Sequence, residues 1–140
     1  MTTTVLDASV IAAWLVPSQG TAASDGFRAQ VARVRFVAPY IFPIECRSLL
    51  LRAERRGGLS PAEVAAALDF VAKLAITIAP PLDAAGHDAV LALARQEGLS
   101  VYDALYLAAA LESGARLASR DGPMLAAAAR RGLATVDLRG

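Results

Sequence analysis

Short apolar runs with the length of β-strands alternate with helical segments along the chain. The strand-like runs are residues 4–6, 36–38, 76–79, 116–118 and 135–138. This alternation is typical of parallel strands joined by right-handed helical crossovers that cover both faces of a sheet. It predicts an α/β fold with a mostly parallel sheet. The length of 140 residues suits a single domain spanning residues 1–140.

Composition narrows the class of protein. Hydrophobic residues make up 56% of the chain and charged residues 19%, an apolar excess that suggests surface reserved for a partner or a second copy, although much of it is alanine. The formal net charge of +1 argues against binding nucleic acid through overall charge but leaves room for a local basic patch.

The sequence shows neither the motifs of a secreted protein nor those of a metal site built on cysteine. The single cysteine, Cys46, excludes an internal disulfide, and no Cys/His cluster surrounds it. The N-terminal residues lack the basic segment of a signal peptide, and the apolar stretch 10–16 is too short to span a bilayer. We therefore expect a cytoplasmic protein without a membrane segment.

Helix boundaries are marked by capping residues. In "LSPAEV", Ser60 is the expected N-cap, Pro61 the first helical residue and Glu63 the partner in a capping box. Gly98 and Gly114 follow helical segments and are expected to end them. Seven acidic residues are expected on solvated helix faces: Asp25, Glu54, Asp69, Asp83, Asp88, Glu97 and Glu112.

Four other acidic residues are harder to assign to solvent. Asp7 and Asp121 each follow a predicted strand and precede a helix, where an aspartate can also serve as an N-cap. Glu45 lies near the start of a helix, where helical spacing surrounds it with largely apolar neighbours such as Ile44. Asp103 is the only charged residue of "VYDALYLAAAL", which we expect to be a buried helix, and with Ser100 it also fits a capping box.

These four carboxylates are expected to meet because the carboxyl ends of parallel strands lie at one edge of a sheet. Like charges in a cleft raise one another's pKa unless a cation neutralises them. A site of oxygen ligands without His or Cys suits Mg²⁺ or Mn²⁺ better than Zn²⁺. Bound divalent ions can attract a phosphodiester and activate water, so hydrolysis of nucleic acid is the leading functional class.

Three stretches resemble the PIN-domain ribonucleases, and more closely the VapC-type toxins of prokaryotic toxin–antitoxin pairs. They are "VLDASVIAAWL", "APYIFPIECRSLLLRAERRGGLS" and "GLSVYDALYLAAALESGARLASRDGPML". The resemblance covers essentially the whole chain, and its acidic set corresponds to Asp7, Glu45, Asp103 and Asp121.

The resemblance implies a three-layer α/β/α sandwich with a parallel five-stranded sheet and an endoribonuclease that uses Mg²⁺ or Mn²⁺ on RNA such as tRNA or ribosomal RNA. It also implies a homodimer silenced by a cognate VapB-type antitoxin. The four carboxylates would bind metal and catalyse. Ser9 and Ser119 would orient carboxylates or water.

Basic residues are candidates for contacts with RNA phosphates. Arg120 stands beside Asp121 and is the candidate substrate-binding residue. The cluster Arg47, Arg52, Arg55 and Arg56 could also contact phosphates. For Arg55 and Arg56 the interaction of basic side chains with a helix C-terminus is the favoured interpretation.

Other classes remain possible. A receiver-like signalling domain also gathers carboxylates around Mg²⁺, but this chain lacks adjacent acidic residues after the first strand and a lysine near the last. A catalytically silent binding module of the same fold stays open, because intact ligands do not establish turnover. Dinucleotide binding is disfavoured because no Gly-x-Gly-x-x-Gly follows the first strand.

Overall fold

A five-stranded parallel sheet forms the centre of the protein, in a computed structural model that describes residues 1–140. Its strands are β1 (Thr2–Leu6), β2 (Val34–Ala38), β3 (Thr77–Ile78), β4 (Arg116–Ser119) and β5 (Thr135–Asp137). Their order is β3-β2-β1-β4-β5, and every neighbouring pair is parallel. The predicted α/β fold is confirmed, and each predicted strand-like run overlaps an observed strand.

Seven α-helices flank the sheet. They are α1 (Ala8–Leu15), α2 (Ala22–Arg28), α3 (Phe42–Arg55), α4 (Pro61–Lys73), α5 (Ala84–Glu97), α6 (Val101–Ser113) and α7 (Gly122–Arg130). Two 3-10 turns, Pro17–Gln19 and Val31–Arg33, lie in the connections. No helix combines the length and apolar character needed to cross a bilayer.

The main core extends across the sheet and the helices that cover it, and a smaller apolar cluster lies between α1, α3 and α4. Val5 and Leu6 of β1 and Leu117 of β4 are fully buried, as is Leu107 of α6. Trp14 packs α1 into the same core, and its indole N–H donates to the Ser24 carbonyl oxygen at 2.9 Å. A buried indole needs such a partner, so this bond fixes α1 against α2.

The order of the strands locates a crevice at the carboxyl ends of β1 and β4. From β1 the chain crosses over to β2 on one side, whereas from β4 it crosses over to β5 on the other side. Open α/β sheets bind ligands where the crossovers diverge in this way. Asp7 directly follows β1, and Asp121 lies two residues beyond the end of β4, so both are at this crevice.

The predicted helix boundaries are confirmed. The Ser60 hydroxyl accepts from the Glu63 N–H at 3.1 Å, and the Glu63 carboxylate accepts from the Ser60 N–H at 2.9 Å. Gly98 and Gly114 end α5 and α6 with φ of 65° and 61°. This left-handed conformation is accessible to glycine without steric cost.

Glu97 departs from its expected place on a solvated helix face. Its side chain is only 8% exposed and forms ion pairs with Arg130 at 3.0 Å and Arg131 at 3.3 Å. The periodicity of α5 could not reveal this contact, because both arginines come from the distant end of α7. These ion pairs join α5 to α7.

The capping box of α4 yields a stability prediction. We expect Ser60→Ala to lower the free energy of unfolding by about 1 kcal/mol, because the Glu63 N–H loses its acceptor. For a domain of this size the melting temperature should fall by about 4 °C, measured by thermal denaturation followed by circular dichroism. Ser18→Ala, at an exposed serine outside any cap, is the control. Equal melting temperatures for Ser60→Ala and wild type would contradict the assigned role of the cap.

Candidate functional site

The four predicted carboxylates line one cavity of about 510 Å³ at the crevice. Asp7 and Asp121 reach it from the ends of β1 and β4, Glu45 from the first turn of α3, and Asp103 from the first turn of α6. Four segments that are distant in the sequence therefore bring acidic side chains to one place. The side chains do not lie on separate surfaces.

Asp7 is the most deeply buried of the four, with 6% of its surface exposed. The hydroxyls of Ser9 and Ser119 each donate to its Oδ2 atom at 2.7 Å. Burial raises the pKa of the Asp7 carboxyl, the two hydroxyls act in the opposite direction, and the charge of Asp121 adds a smaller increase. Asp7 occupies the N-cap position of α1, but its carboxylate is held by the two serine hydroxyls, so helix capping alone does not account for it.

The two serines also hold the end of β4. Ser119 Oγ accepts from the Asp121 N–H at 2.9 Å, and Ser9 Oγ accepts from the Arg120 N–H at 3.2 Å. Asp121 occupies the N-cap position of α7 without a side-chain capping bond, so its carboxylate is not used by the helix. The serines thus place Asp7 and Asp121 next to each other.

Glu45 has a partner that the sequence analysis did not identify. The Tyr106 hydroxyl, from α6, donates to Glu45 Oε1 at 2.6 Å. Burial raises the pKa of Glu45, the Tyr106 hydrogen bond opposes this, and the charge of Asp7 adds to the increase. The sequence predicts that apolar neighbours on α3, Ile44 among them, shield Glu45 from water. Ile44 does not do so, because it is 70% exposed. Tyr106 is three residues after Asp103 on the same helix, a spacing that could have indicated it.

Asp103 is in direct electrostatic contact with Asp121. Partial burial, followed by the charges of Asp121 and Asp7, raises the pKa of Asp103 to about 6. Ser100 Oγ accepts from the Asp103 N–H at 3.1 Å, which is half of the predicted capping box; the reciprocal bond is not formed. The expectation that the helix is buried from its start is wrong at its exposed first residues, Val101 and Tyr102.

The donor chemistry of the cavity fits a hard divalent cation. Its titratable ligands are all carboxylates, the type that Mg²⁺ and Mn²⁺ prefer. No three His, Cys, Asp or Glu side chains form a ready-made metal cluster. Mg²⁺ is usually held by one or two carboxylates together with waters and substrate phosphates, so it does not need such a cluster. Asp103 and Asp121, whose charges interact, and the neighbouring Asp7 meet this smaller requirement.

Basic and apolar side chains surround the carboxylates. Arg52 of α3 and the exposed Ile44 and Tyr102 line the same cavity. Arg120, the predicted substrate-binding residue, is not among the lining residues, and its guanidinium donates to Gln19 Oε1 at 3.2 Å. Arg52 therefore lines the carboxylate cavity, whereas Arg120 does not.

Comparisons with known proteins agree with this architecture. The chain is similar in structure to PAE2754 from Pyrobaculum aerophilum, with a TM-score of 0.68 and 22% identity over 96% of this chain and 90% of that one. It is similar to FitAcB from Neisseria gonorrhoeae, with a TM-score of 0.66 and 18% identity over 97% of this chain and 98% of that one. FitAB bound to an IR36 DNA fragment is similar at a TM-score of 0.57 and 18% identity, covering 98% and 96% of the two chains.

These structural similarities establish a shared fold. No curated protein sequence matches the chain at a significant level. The model of the PIN domain family, in contrast, matches residues 4–130, which include every carboxylate of the cavity. The protein therefore belongs to the PIN-domain family, whose members are generally nucleases.

Proposed function

We propose that this protein is a VapC-type endoribonuclease toxin that uses Mg²⁺ or Mn²⁺ to hydrolyse phosphodiester bonds in RNA such as tRNA or ribosomal RNA. Residues 1–140 act as a single PIN-like domain in the cytoplasm. The observation that carries the proposal is the convergence of Asp7, Glu45, Asp103 and Asp121 on one cavity. Membership of the PIN family supports a hydrolase of phosphodiesters and removes the basis for a receiver-like domain.

Each side chain has a distinct role in this proposal. A divalent ion in the cavity would supply charge neutralisation for the phosphate and activation of a water. Asp7, Asp103 and Asp121 would hold the ion, and Ser9 and Ser119 hold Asp7 in one orientation.

Glu45 completes the proposed catalytic set. Its raised pKa and its hydrogen bond from Tyr106 favour a carboxylate that binds or orients water next to the phosphate. The Tyr106 hydroxyl, which donates to Oε1, holds the Glu45 carboxylate in one orientation.

RNA fits the rim of the cavity better than a small phosphoester does. Tyr102 is 61% exposed beside Asp103, and an exposed aromatic ring next to a phosphate-binding site can stack an unpaired base. Arg52 lines the same cavity and can neutralise a neighbouring phosphate. A substrate with bases and phosphates in alternation would contact both side chains.

The proposed partners are a cognate VapB-type antitoxin and a second copy of the chain. They follow from the resemblance to VapC-type toxins, and the structural likeness to FitAcB and FitAB supports them. A catalytically silent binding module of the same fold is the alternative, and activity measurements separate the two.

The first test is metal-dependent cleavage. We expect the purified protein to cleave tRNA or ribosomal RNA when Mg²⁺ or Mn²⁺ is present, and chelation with EDTA should abolish cleavage. Asp7→Asn and Asp103→Asn should reduce the cleavage rate by about 100-fold or more, because each removes a charged ligand. Cleavage is followed by gel electrophoresis of labelled RNA.

Asp88→Asn is the matched control, because Asp88 is an exposed aspartate of α5 outside the cavity, and it should retain wild-type activity. Full activity of both Asp7→Asn and Asp103→Asn would reject the site. Absence of cleavage by wild type on every RNA tried, with the metal bound, would favour the silent binding module. A DNA substrate included in the same assay tests the choice of RNA.

The second test uses stability without metal. The folded pKa of Asp103, about 6, exceeds its ordinary value of 3.8, so between these values the folded protein binds more protons than the unfolded chain. Stability from this group is therefore lost as pH rises through this window. At pH ~7.5 in EDTA, we expect Asp103→Asn to be more stable than wild type by about 1 kcal/mol, a value reduced for the half-exposed position of the group.

The higher stability of Asp103→Asn corresponds to a melting temperature about 4 °C above that of wild type. The difference should shrink at pH ~4.5, because most of the Asp103 carboxyl is then protonated in the folded wild type. Asp88→Asn should show no gain. Mg²⁺ should raise the melting temperature of wild type more than that of Asp103→Asn, because the ion binds the charged carboxylate. A gain that is independent of pH, or a decrease in stability, would show that the disfavoured charge of Asp103 is not the cause.

The third test concerns assembly. We expect light scattering coupled to size-exclusion chromatography to give twice the mass of one chain at micromolar concentration. The apolar excess of the composition is the physical reason for this expectation. A monomer across the whole concentration range would contradict the homodimer while leaving the proposed chemistry intact.

A further inference from the structure

We propose that Arg52, Arg55 and Arg56, the arginine strip, bind successive phosphates of the RNA strand on one side of the scissile bond. The inference rests on the proposed function and adds the path of the substrate across the surface. It assigns the phosphate contacts to α3 and not to the segment that carries Arg120.

The strip and the acidic cavity are joined along one helix. Ser48 and Arg52 line the acidic cavity and also line a second cavity of about 320 Å³, whose other lining residues are Leu51, Arg55 and Arg56. Glu45, in the first turn of α3, therefore lies at one end of a continuous depression, and the strip lies at the other. A strand whose scissile phosphate sits at Glu45 passes over the strip on leaving the cavity.

The guanidinium groups of the strip have no acidic partner. The ion pairs of the structure are those of Arg130 and Arg131 with Glu97, and of Arg139 with Asp137. Three neighbouring positive charges thus remain uncompensated in a chain with a net charge of only +1. The C-terminus of α3 attracts basic side chains, but this interaction does not explain why Arg52 also lines the carboxylate cavity.

The spacing of the strip suits a phosphodiester chain. Arg52 and Arg56 are four residues apart, so they lie about one helical turn, ~6 Å, from each other, and Arg55 is adjacent to Arg56. This spacing is comparable to that between successive phosphates of an extended strand. Arginine binds phosphate through two parallel N–H donors, which makes each guanidinium a suitable contact for one phosphate.

Nucleic acid fits the surroundings of the strip better than an acidic peptide. Ile44 and Tyr102 are exposed at the acidic cavity, and a base on the scissile nucleotide can pack against them while its phosphates follow the arginines. A peptide of carboxylates would satisfy the guanidiniums but would leave the aromatic ring unused.

The test measures binding without cleavage. Fluorescence anisotropy of a short fluorescein-labelled oligouridylate in EDTA gives the affinity of each variant over a range of salt concentrations. For single strands the slope of log affinity against log salt becomes shallower by about 0.7 for each phosphate that the protein no longer neutralises. We expect the slope to decrease by about 0.7 for Arg52→Ala and by about 1.4 for the double variant Arg55→Ala/Arg56→Ala, with weaker binding in both.

Arg95→Ala is the matched control. Arg95 is an exposed arginine of α5 that lines neither of the two cavities. Its removal should leave the slope unchanged. Melting temperatures confirm that each variant is folded before its binding is interpreted.

Several outcomes would overturn the inference. Slopes equal to wild type in the strip variants, or an equal decrease in Arg95→Ala, would show that the strip does not bind phosphates. A polyglutamate peptide that binds more tightly than the RNA, with the same dependence on the strip, would identify an acidic protein segment as its ligand. If RNA binding depends on the strip but no metal-dependent cleavage occurs, the inference stands and the proposed function is wrong. If the protein cleaves RNA but the salt slopes of the strip variants are unchanged, the proposed function stands and the inference is wrong.

Discussion

The Asp7 carboxylate is buried where β1 ends, and the hydroxyls of Ser9 and Ser119 hold it there. A buried polar group without hydrogen-bond partners costs about 1–3 kcal/mol or more, so these donors make the position tolerable. Ser119 is the last residue of β4, and the same bond therefore fixes the end of β4 against the end of β1. Asp121 follows two residues later, so the same junction positions its carboxylate.

Helix α6 links the other two carboxylates. It carries Asp103 in its first turn, and one turn later it carries Tyr106, whose hydroxyl orients Glu45 of α3. Leu107 and Ala110 are fully buried and anchor α6 in the core. A displacement of α6 would therefore change the positions of Asp103 and Glu45 together. The cavity depends on the packing of this helix as much as on the ends of the strands.

The fold and the acidic set could be predicted from the sequence for different reasons. Apolar runs alternating with helices specify a parallel sheet, and the geometry of such a sheet brings Asp7 and Asp121 to one edge. Capping could not be excluded from the sequence, because aspartate is itself a preferred N-cap. The Ser119 hydroxyl that holds the Asp7 carboxylate belongs to a residue 112 positions away.

Other features escaped prediction because they depend on what covers a helix face. Helical spacing places Ile44 next to Glu45 but does not show that Ile44 is left exposed. The contact between Glu97 and the two arginines at the end of α7 was missed for the same reason, because it depends on which helix packs beside α5. Tyr106 could have been found, since a tyrosine hydroxyl within a buried helix needs a partner. Because Tyr106 lies one turn after Asp103, its hydroxyl could have been expected to find that partner among the acidic residues of the site.

Burial, and not mutual repulsion, is the first cause of the raised pKa of Asp7, Glu45 and Asp103. The surroundings that disfavour each isolated charge also strengthen the attraction between a carboxylate and a cation, because the effective dielectric constant is lower there than in water. A cation that binds only the folded form stabilises it further by mass action. The burial that makes these carboxylates costly without a cation is therefore the same property that would make the cavity a strong binding site for one.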